Sequence, residues 1–133
     1  MRLTTRSEYA MLALIHLARH DAQANVPART IADAQCIPLP YLAQILRTLT
    51  RARLVRSTKG QRGGFRLARA PESISIADVI RLCDGALAPT QSVSDFFYES
   101  TPIERERKML ALCRQIRDYV ADRLEHTTLA DVV

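Results

Sequence analysis

Leu42, Ile45, Leu46 and Leu49 fall at i, i+3, i+4 and i+7, and that spacing constrains the fold more than any other feature of the chain. It places four aliphatic side chains on one face of a helix, and that face has to be buried. Tyr41, Gln44, Arg47, Thr48 and Arg51 then share the opposite face. Pro40 suits the first position of this helix, where its missing N–H costs nothing. Upstream, Cys36-Ile37-Pro38-Leu39 reads as a turn, and residues 28–35 as a short helix with Ile31, Ala32 and Ala34 facing inward. Two helices joined by a tight turn, the second with a polar and basic outer face, form a helix-turn-helix pattern.

A β-hairpin is predicted next. Leu54-Val55-Arg56-Ser57-Thr58 and Phe65-Arg66-Leu67-Ala68 have the period-two character of short strands. The connector 59–64 holds three of the chain's four glycines, which suits it to a sharp turn with close backbone approach. Lys59 and Arg62 sit at its tip, placed to enter a groove or to lie along phosphates. A nucleotide-binding loop is disfavoured, because no Gly-Lys-Ser/Thr follows and no helix opens from the connector.

Between Asp33 and Glu72 the chain carries eight Lys or Arg residues and no carboxylate, whereas the rest holds 11 basic and 14 acidic residues. The positive charge is therefore concentrated in the segment with the helix-turn-helix and hairpin patterns. Such a block is the electrostatic footprint of a polyanion partner, with nucleic acid phosphate as the best fit. The bland alternative is a solvated basic face.

Elsewhere the helices have marked starts. Thr5-Arg6-Ser7-Glu8 reads as a capping box, followed by a nearly continuous apolar run from Tyr9 to Ala18 that suits a central buried helix. Ser75-Ile76-Ala77-Asp78 opens another helix, with Ile76, Val79, Ile80 and Cys83 inward and Gly85 at its end. Residues 86–100 are irregular and include Phe96-Phe97-Tyr98, expected either to anchor the loop to the core or to line a pocket. Thr101-Pro102-Ile103-Glu104 reads as a third capping box, opening a helix that can run to Glu125, roughly 35 Å. Its apolar positions are Met109, Leu112, Cys113, Ile116, Tyr119, Val120 and Leu124. A domain this small cannot cover so long a stripe, so a second copy of the helix is the expected cover, with packing on the first helix as the alternative. Thr127–Val133 reads as a short apolar turn. The expected organisation is a DNA-binding domain over residues 1–85, a connecting loop over 86–101, and a dimerisation helix with its C-terminal turn over 102–133. The fold class is mainly α with a small β-hairpin.

Three cysteines, Cys36, Cys83 and Cys113, are too widely spaced for a metal pair or a disulfide framework, so each is expected to be a small buried hydrophobe. No apolar run reaches the roughly 20 residues of a membrane span, and no leader pattern opens the chain, so a cytoplasmic protein is expected. His16, His20 and His126 have no Ser, Cys or Asp at a catalytic spacing, so an enzyme is not expected.

Several segments resemble one family in order and spacing. They are Met1-Arg2-Leu3-Thr4-Thr5-Arg6-Ser7-Glu8-Tyr9-Ala10, Tyr41-Leu42-Ala43-Gln44, Gly63-Gly64-Phe65, Ile76-Ala77-Asp78-Val79-Ile80 and Thr127-Thr128-Leu129-Ala130-Asp131. Together they are similar to the Rrf2 family of bacterial regulators, and most of all to its cluster-free, CymR-like branch. The resemblance implies a winged helix-turn-helix, dimerised by the long C-terminal helix, that binds palindromic operator DNA as a repressor. It places Thr4, Arg6 and Ser7 on the DNA backbone, while helix position and hairpin-tip charge put Tyr41 and Gln44 near base edges, Arg47 and Arg51 on phosphates, and Lys59 and Arg62 in an adjacent minor groove.

The chain also departs from the family. Cluster-bearing members hold three close cysteines in the segment where residues 86–112 here have none. Arg107 and Leu110 stand near the places of the last cluster cysteine and a histidine ligand, and Glu8 matches a carboxylate ligand position that capping also explains. No cofactor is therefore expected. Ala43 replaces a base-reading carboxylate, so base preference is expected to differ, with a thymine-methyl contact as substitute. Two variants of the reading stay open: a redox- or iron–sulfur-responsive regulator, and a basic module that binds an acidic protein partner. An effector molecule is possible in either case.

Overall fold

The Leu42–Leu49 stripe is buried in the computed structural model, which describes all 133 residues. Helix α1 (Thr5–Ala18) lies at the centre and packs on α2 (Ala28–Gln35), α3 (Leu39–Arg51) and α4 (Ile76–Asp84). The main core joins Ala10, Ala13, Leu14 and Leu17 of α1 to Ile31 of α2 and the four stripe residues of α3. The small alanines of α1 let its neighbours approach closely, so the α2–turn–α3 unit is held against a rigid post. Leu46 is fully buried at this junction. Leu46→Ala is expected to cost about 2–5 kcal/mol of stability, measured by urea unfolding. A loss below about 1 kcal/mol would show that α3 is not anchored through this stripe.

Several local expectations are corrected. The N-cap of α1 is Thr4, not Thr5: the Ser7 amide donates to Thr4 Oγ1 at 3.3 Å and Ser7 Oγ donates to Thr4 O at 3.0 Å. Asp84 selects this residue, since its carboxylate accepts from the Thr4 amide at 3.2 Å and from the Thr4 hydroxyl. Glu8 consequently plays no part in a capping box. Helix α3 starts one residue early, which puts Pro40 at its second position, another site whose N–H a helix does not use. Ala34 is exposed, because two residues from buried Ala32 is about 200° around a helix. Cys36 ends α2 in the left-handed region (φ 55°) and is exposed, so it is not a buried hydrophobe.

Strands β1 (Val55–Thr58) and β2 (Gly64–Leu67) form the predicted hairpin, with Arg56 opposite Arg66 and Ser57 opposite Phe65. A third extended residue, Val26, joins its edge by exchanging two 2.8 Å hydrogen bonds with Phe65. Gly64 (φ +143°) permits this approach, since a Cβ there would lie 2.6 Å from the Val26 carbonyl.

Ser75 caps α4 as predicted, accepting from the Asp78 amide at 3.1 Å, and Gly85 ends it. Residues after α5 (Arg107–Glu125) return to the core. Ile76 N–H donates to Thr127 O at 2.9 Å, Leu129 N–H donates to Ile74 O at 2.8 Å, and Leu129 is fully buried. The C-terminal turn thus closes the core of the reading domain.

Helix α5 is shorter than predicted: 19 residues, roughly 28 Å. Residues 102–105 form a separate 3₁₀ turn, because the supposed capping groups are engaged elsewhere. The Thr101 hydroxyl donates to Ser92 Oγ at 2.9 Å, and Glu104 accepts from Tyr98 Oη at 2.8 Å and Ser100 Oγ at 3.1 Å. Helix α5 packs chiefly on α4 and the preceding loop, and its Leu124 shares a small apolar cluster with Met11 of α1. Two of the positions assigned to a dimer stripe instead serve the chain itself. Cys113 is buried against Ala88 and Val93, and Leu124 packs on the small cluster of Ile76, Ala77, Ile80 and Leu87. Val120 is half-buried. Met109, Leu112, Ile116 and Tyr119 are exposed, by 43% to 75%. Phe96, Phe97 and Tyr98 are also exposed and do not anchor the loop; buried Ser92, Val93 and Ser94 do that.

Candidate nucleic-acid interface

The outer face of α3 and the first turns of α1 enclose an open groove of about 800 Å³. Arg6, Tyr41, Gln44, Arg47 and Arg51, five residues assigned to DNA from the sequence, all line it. Its geometry follows from the buried stripe of α3: once Leu42, Ile45, Leu46 and Leu49 face the core, Tyr41, Gln44, Arg47 and Arg51 must project outward. The start of α1 is tied across the groove by Arg6, whose Nη2 donates to Thr48 Oγ1 at 3.1 Å. Thr48 Oγ1 in turn donates to Gln44 O at 3.2 Å. Thr48, which the spacing put on this outer face, also lines the groove, as do Thr5 and Tyr9, whose place there the sequence did not indicate. Thr5 and Tyr9 carry one local signal, their i, i+4 spacing on a single helix face.

Thr4 and Ser7 are the two assigned residues that the structure places otherwise. Ser7 is fully buried, and both partners of the Thr4 hydroxyl lie within the chain. They position the helix end beneath Arg6 and do not offer free donors to a phosphate. Burial pushes the Asp84 carboxyl up, but polar contacts from Thr4 and Ser7 and the charge of Arg6 outweigh it and hold the group below the usual carboxylate range. Asp84 therefore stays ionised at neutral pH and braces the N-terminus of α1, where a helix favours negative charge.

The hairpin supplies the second part of the surface. Gly60 takes φ +102°, and a Cβ on Gly63 would lie 2.4 Å from Thr58 O, so this tight turn requires glycine. Lys59 and Arg62 stand exposed at its tip. Asn25 steadies the tip by donating from Nδ2 to Arg62 O at 3.1 Å. The ion pairs of the molecule are Arg81–Glu125, Arg117 with Asp95 and Asp118, and His126–Asp122. None of the eight cations between Asp33 and Glu72 has a carboxylate partner. Of these, Arg47 and Arg51 line the groove and Lys59 and Arg62 stand at the hairpin tip, and a phosphate backbone can neutralise their uncompensated charge.

The residues present do not fit an iron–sulfur cluster. The segment from Ala86 to Leu112 contains neither Cys nor His. Cys113 lies in an apolar cluster, while Cys36 and Cys83 belong to separate helices. Burial pushes the Cys83 thiol up, helped by Asp84 and opposed by Arg6, away from the thiolate that metal ligation needs. No three His, Cys, Asp or Glu side chains converge at ligating distance.

Comparison with known proteins bears on the same surface. Residues 3–133 match the Rrf2 family pattern, described as an iron-dependent transcriptional regulator. A Mycobacterium tuberculosis protein bearing the name of an HTH-type transcriptional regulator is 41% identical over 133 residues, covering 99% of this chain and 81% of the relative. The HTH-type transcriptional regulator CymR of Bacillus subtilis is 31% identical, covering 99% of this chain and 89% of CymR. The solved structure of CymR, the global cysteine regulator of that organism, superposes with a TM-score of 0.79, covering 99% of this chain and 95% of the other. Both relatives carry the names of HTH-type transcriptional regulators.

Proposed function

This chain belongs to the Rrf2 family of DNA-binding transcriptional regulators, and on that premise we propose that it acts as a homodimer on a palindromic operator. The observation that carries the reading is the α1–α3 groove, where Tyr41 and Gln44 stand among cations that have no carboxylate partner. In this reading α3 enters the major groove. Tyr41 and Gln44 lie toward its N-terminal end, the part of a recognition helix that comes nearest the bases. Gln44 can pair with adenine by accepting at Oε1 and donating from Nε2, and exposed Ala43 can meet a thymine methyl. Arg6, Arg47 and Arg51 hold phosphates, while Lys59 and Arg62 reach a neighbouring minor groove, where narrow A·T stretches attract cations.

Dimerisation uses the exposed face of α5, formed by Met109, Leu112, Ile116 and Tyr119. A two-fold dimer presents two reading heads, which accounts for palindromic half-sites. Occupancy of an operator that overlaps a promoter excludes polymerase, so repression is the proposed outcome. No helix is long and apolar enough to cross a membrane, in keeping with a protein that acts on DNA.

Gln44→Ala and Arg62→Ala separate base reading from backbone grip. In gel-shift titrations, Gln44→Ala is expected to lose discrimination at one base pair per half-site, about 1–3 kcal/mol each, with little change on a scrambled duplex. Arg62→Ala is expected to weaken both duplexes alike. Equal losses on both sequences for Gln44→Ala would remove Gln44 from base reading.

A further inference from the structure

A second cationic concavity lies at the root of the hairpin, at the other end of α1 from the groove. Arg56 and Arg66 are direct partners in the β1–β2 register, and Arg69 follows two residues after β2. Like charges placed directly opposite each other destabilise a sheet. Nothing in the chain relieves this pair, since no ion pair involves any of the three arginines. Two of them are nonetheless held in place. Arg66 Nη1 donates to the backbone and side-chain oxygens of Gln23 at 3.5 and 3.4 Å, and Arg69 donates to Ser73 O.

Arg56, Arg66 and Arg69 line a pocket of about 370 Å³, and no carboxylate lines it. Its apolar lining includes Leu17 and Ala18 of α1, Leu67 of β2, and Pro71. This size suits a small ligand, and a mixed wall of cations and aliphatic carbon suits an organic anion better than a bare ion. We propose that this pocket binds a small organic polyanion, with two or more carboxylate or phosphate groups on a compact carbon body. The anionic groups bridge Arg56, Arg66 and Arg69, and the carbon body lies on Leu17 and Leu67. Duplex phosphate is the competing occupant, but the placement disfavours it. Arg6 and Ala18 are separated by roughly 18 Å of helix, and six residues, among them the whole of β2, separate Arg62 at the tip from Arg69. Because the ligand spans β1, β2 and the end of α1, its occupancy sets the lean of the hairpin. That regulatory consequence, unlike the binding itself, rests on the operator reading above.

The test uses the full chain without DNA, in calorimetric titrations at constant ionic strength with citrate, 3-phosphoglycerate, inorganic phosphate and acetate. The expected result is saturable binding of at least one organic polyanion at one site per chain, tighter than phosphate and acetate by tenfold or more. Arg56→Gln and Arg66→Gln are each expected to weaken it by about tenfold, the effect of losing one charged hydrogen-bonding group, while Arg62→Gln leaves it unchanged. Arg56 is exposed, so its variant keeps the fold, and Arg66→Lys retains charge should Arg66→Gln unfold. Absence of saturable binding by both organic probes would overturn the proposal, as would equal weakening by Arg62→Gln or phosphate binding as tightly as citrate. Loss of duplex affinity in Arg56→Gln with silent citrate and 3-phosphoglycerate titrations would assign these arginines to DNA instead. Failure of operator binding alone would leave the anion site standing.

Discussion

Raising the salt from 50 to 200 mM is expected to weaken operator binding by about 10³–10⁵-fold. Each chain offers Arg6, Arg47 and Arg51 in the groove and Lys59 and Arg62 at the hairpin tip, none of them in an ion pair. If three to five of these engage in each half of a dimer, on the order of six to ten phosphates are neutralised and their counterions released. The size of the effect follows from that count and not from the strength of any one contact. Arg47→Ala removes one phosphate contact per chain and is expected to lower the slope of log affinity against log salt by roughly two per dimer. Gln44→Ala, lacking charge in either form, leaves the slope unchanged. Fluorescence anisotropy over a salt series gives both slopes. A nearly flat dependence, or an unchanged slope in Arg47→Ala, would mean that the groove does not hold the DNA backbone.

Ile116→Asp is expected to convert the proposed dimer to a monomer and reduce operator affinity by about 10²–10⁴-fold, the gain that linking two reading heads supplies. Met109, Leu112, Ile116 and Tyr119 repeat every three or four residues along α5 and form one exposed face. Around a two-fold axis the substitution puts two carboxylates into the proposed apolar seam, a large penalty on association. Ile116 is 43% exposed in the single chain, so the variant keeps its fold, and an unchanged circular dichroism spectrum checks this. Cys113→Ser is the contrast: its side chain faces Ala88 and Val93, so it perturbs the chain's own packing and leaves the dimer intact. Sedimentation at several concentrations reads the association state. A dimeric Ile116→Asp, or a monomer with undiminished operator affinity, would sink the pairing proposal.

Much of the fold is legible along the chain because its signals are local. The stripe of α3 declares a buried face through spacing alone, and Ser75 and Gly85 bound α4 by cap chemistry that acts within a single turn. The hairpin follows from glycines whose positions leave no room for a Cβ. The candidate site is legible to the extent that it depends on the same periodicity. Tyr41, Gln44, Arg47 and Arg51 must point outward once their neighbours point in.

The misreadings share a different cause. Thr4 rather than Thr5 caps α1 because Asp84, eighty residues away, holds it there. The predicted cap at Thr101 fails because Ser92 and Tyr98 claim its groups first. Cys113 looked like part of an outer stripe until residues 88 and 93 covered it. By itself, the sequence determined the helix-turn-helix, the hairpin, the unpaired basic block and the family. Only the tertiary structure decided which donors remain free, which α5 residues stay uncovered, and that three arginines meet around a pocket. Periodicity and turn chemistry act over a few residues, whereas competition for a hydrogen-bonding group or a patch of apolar surface is settled among segments that only the folded chain brings together.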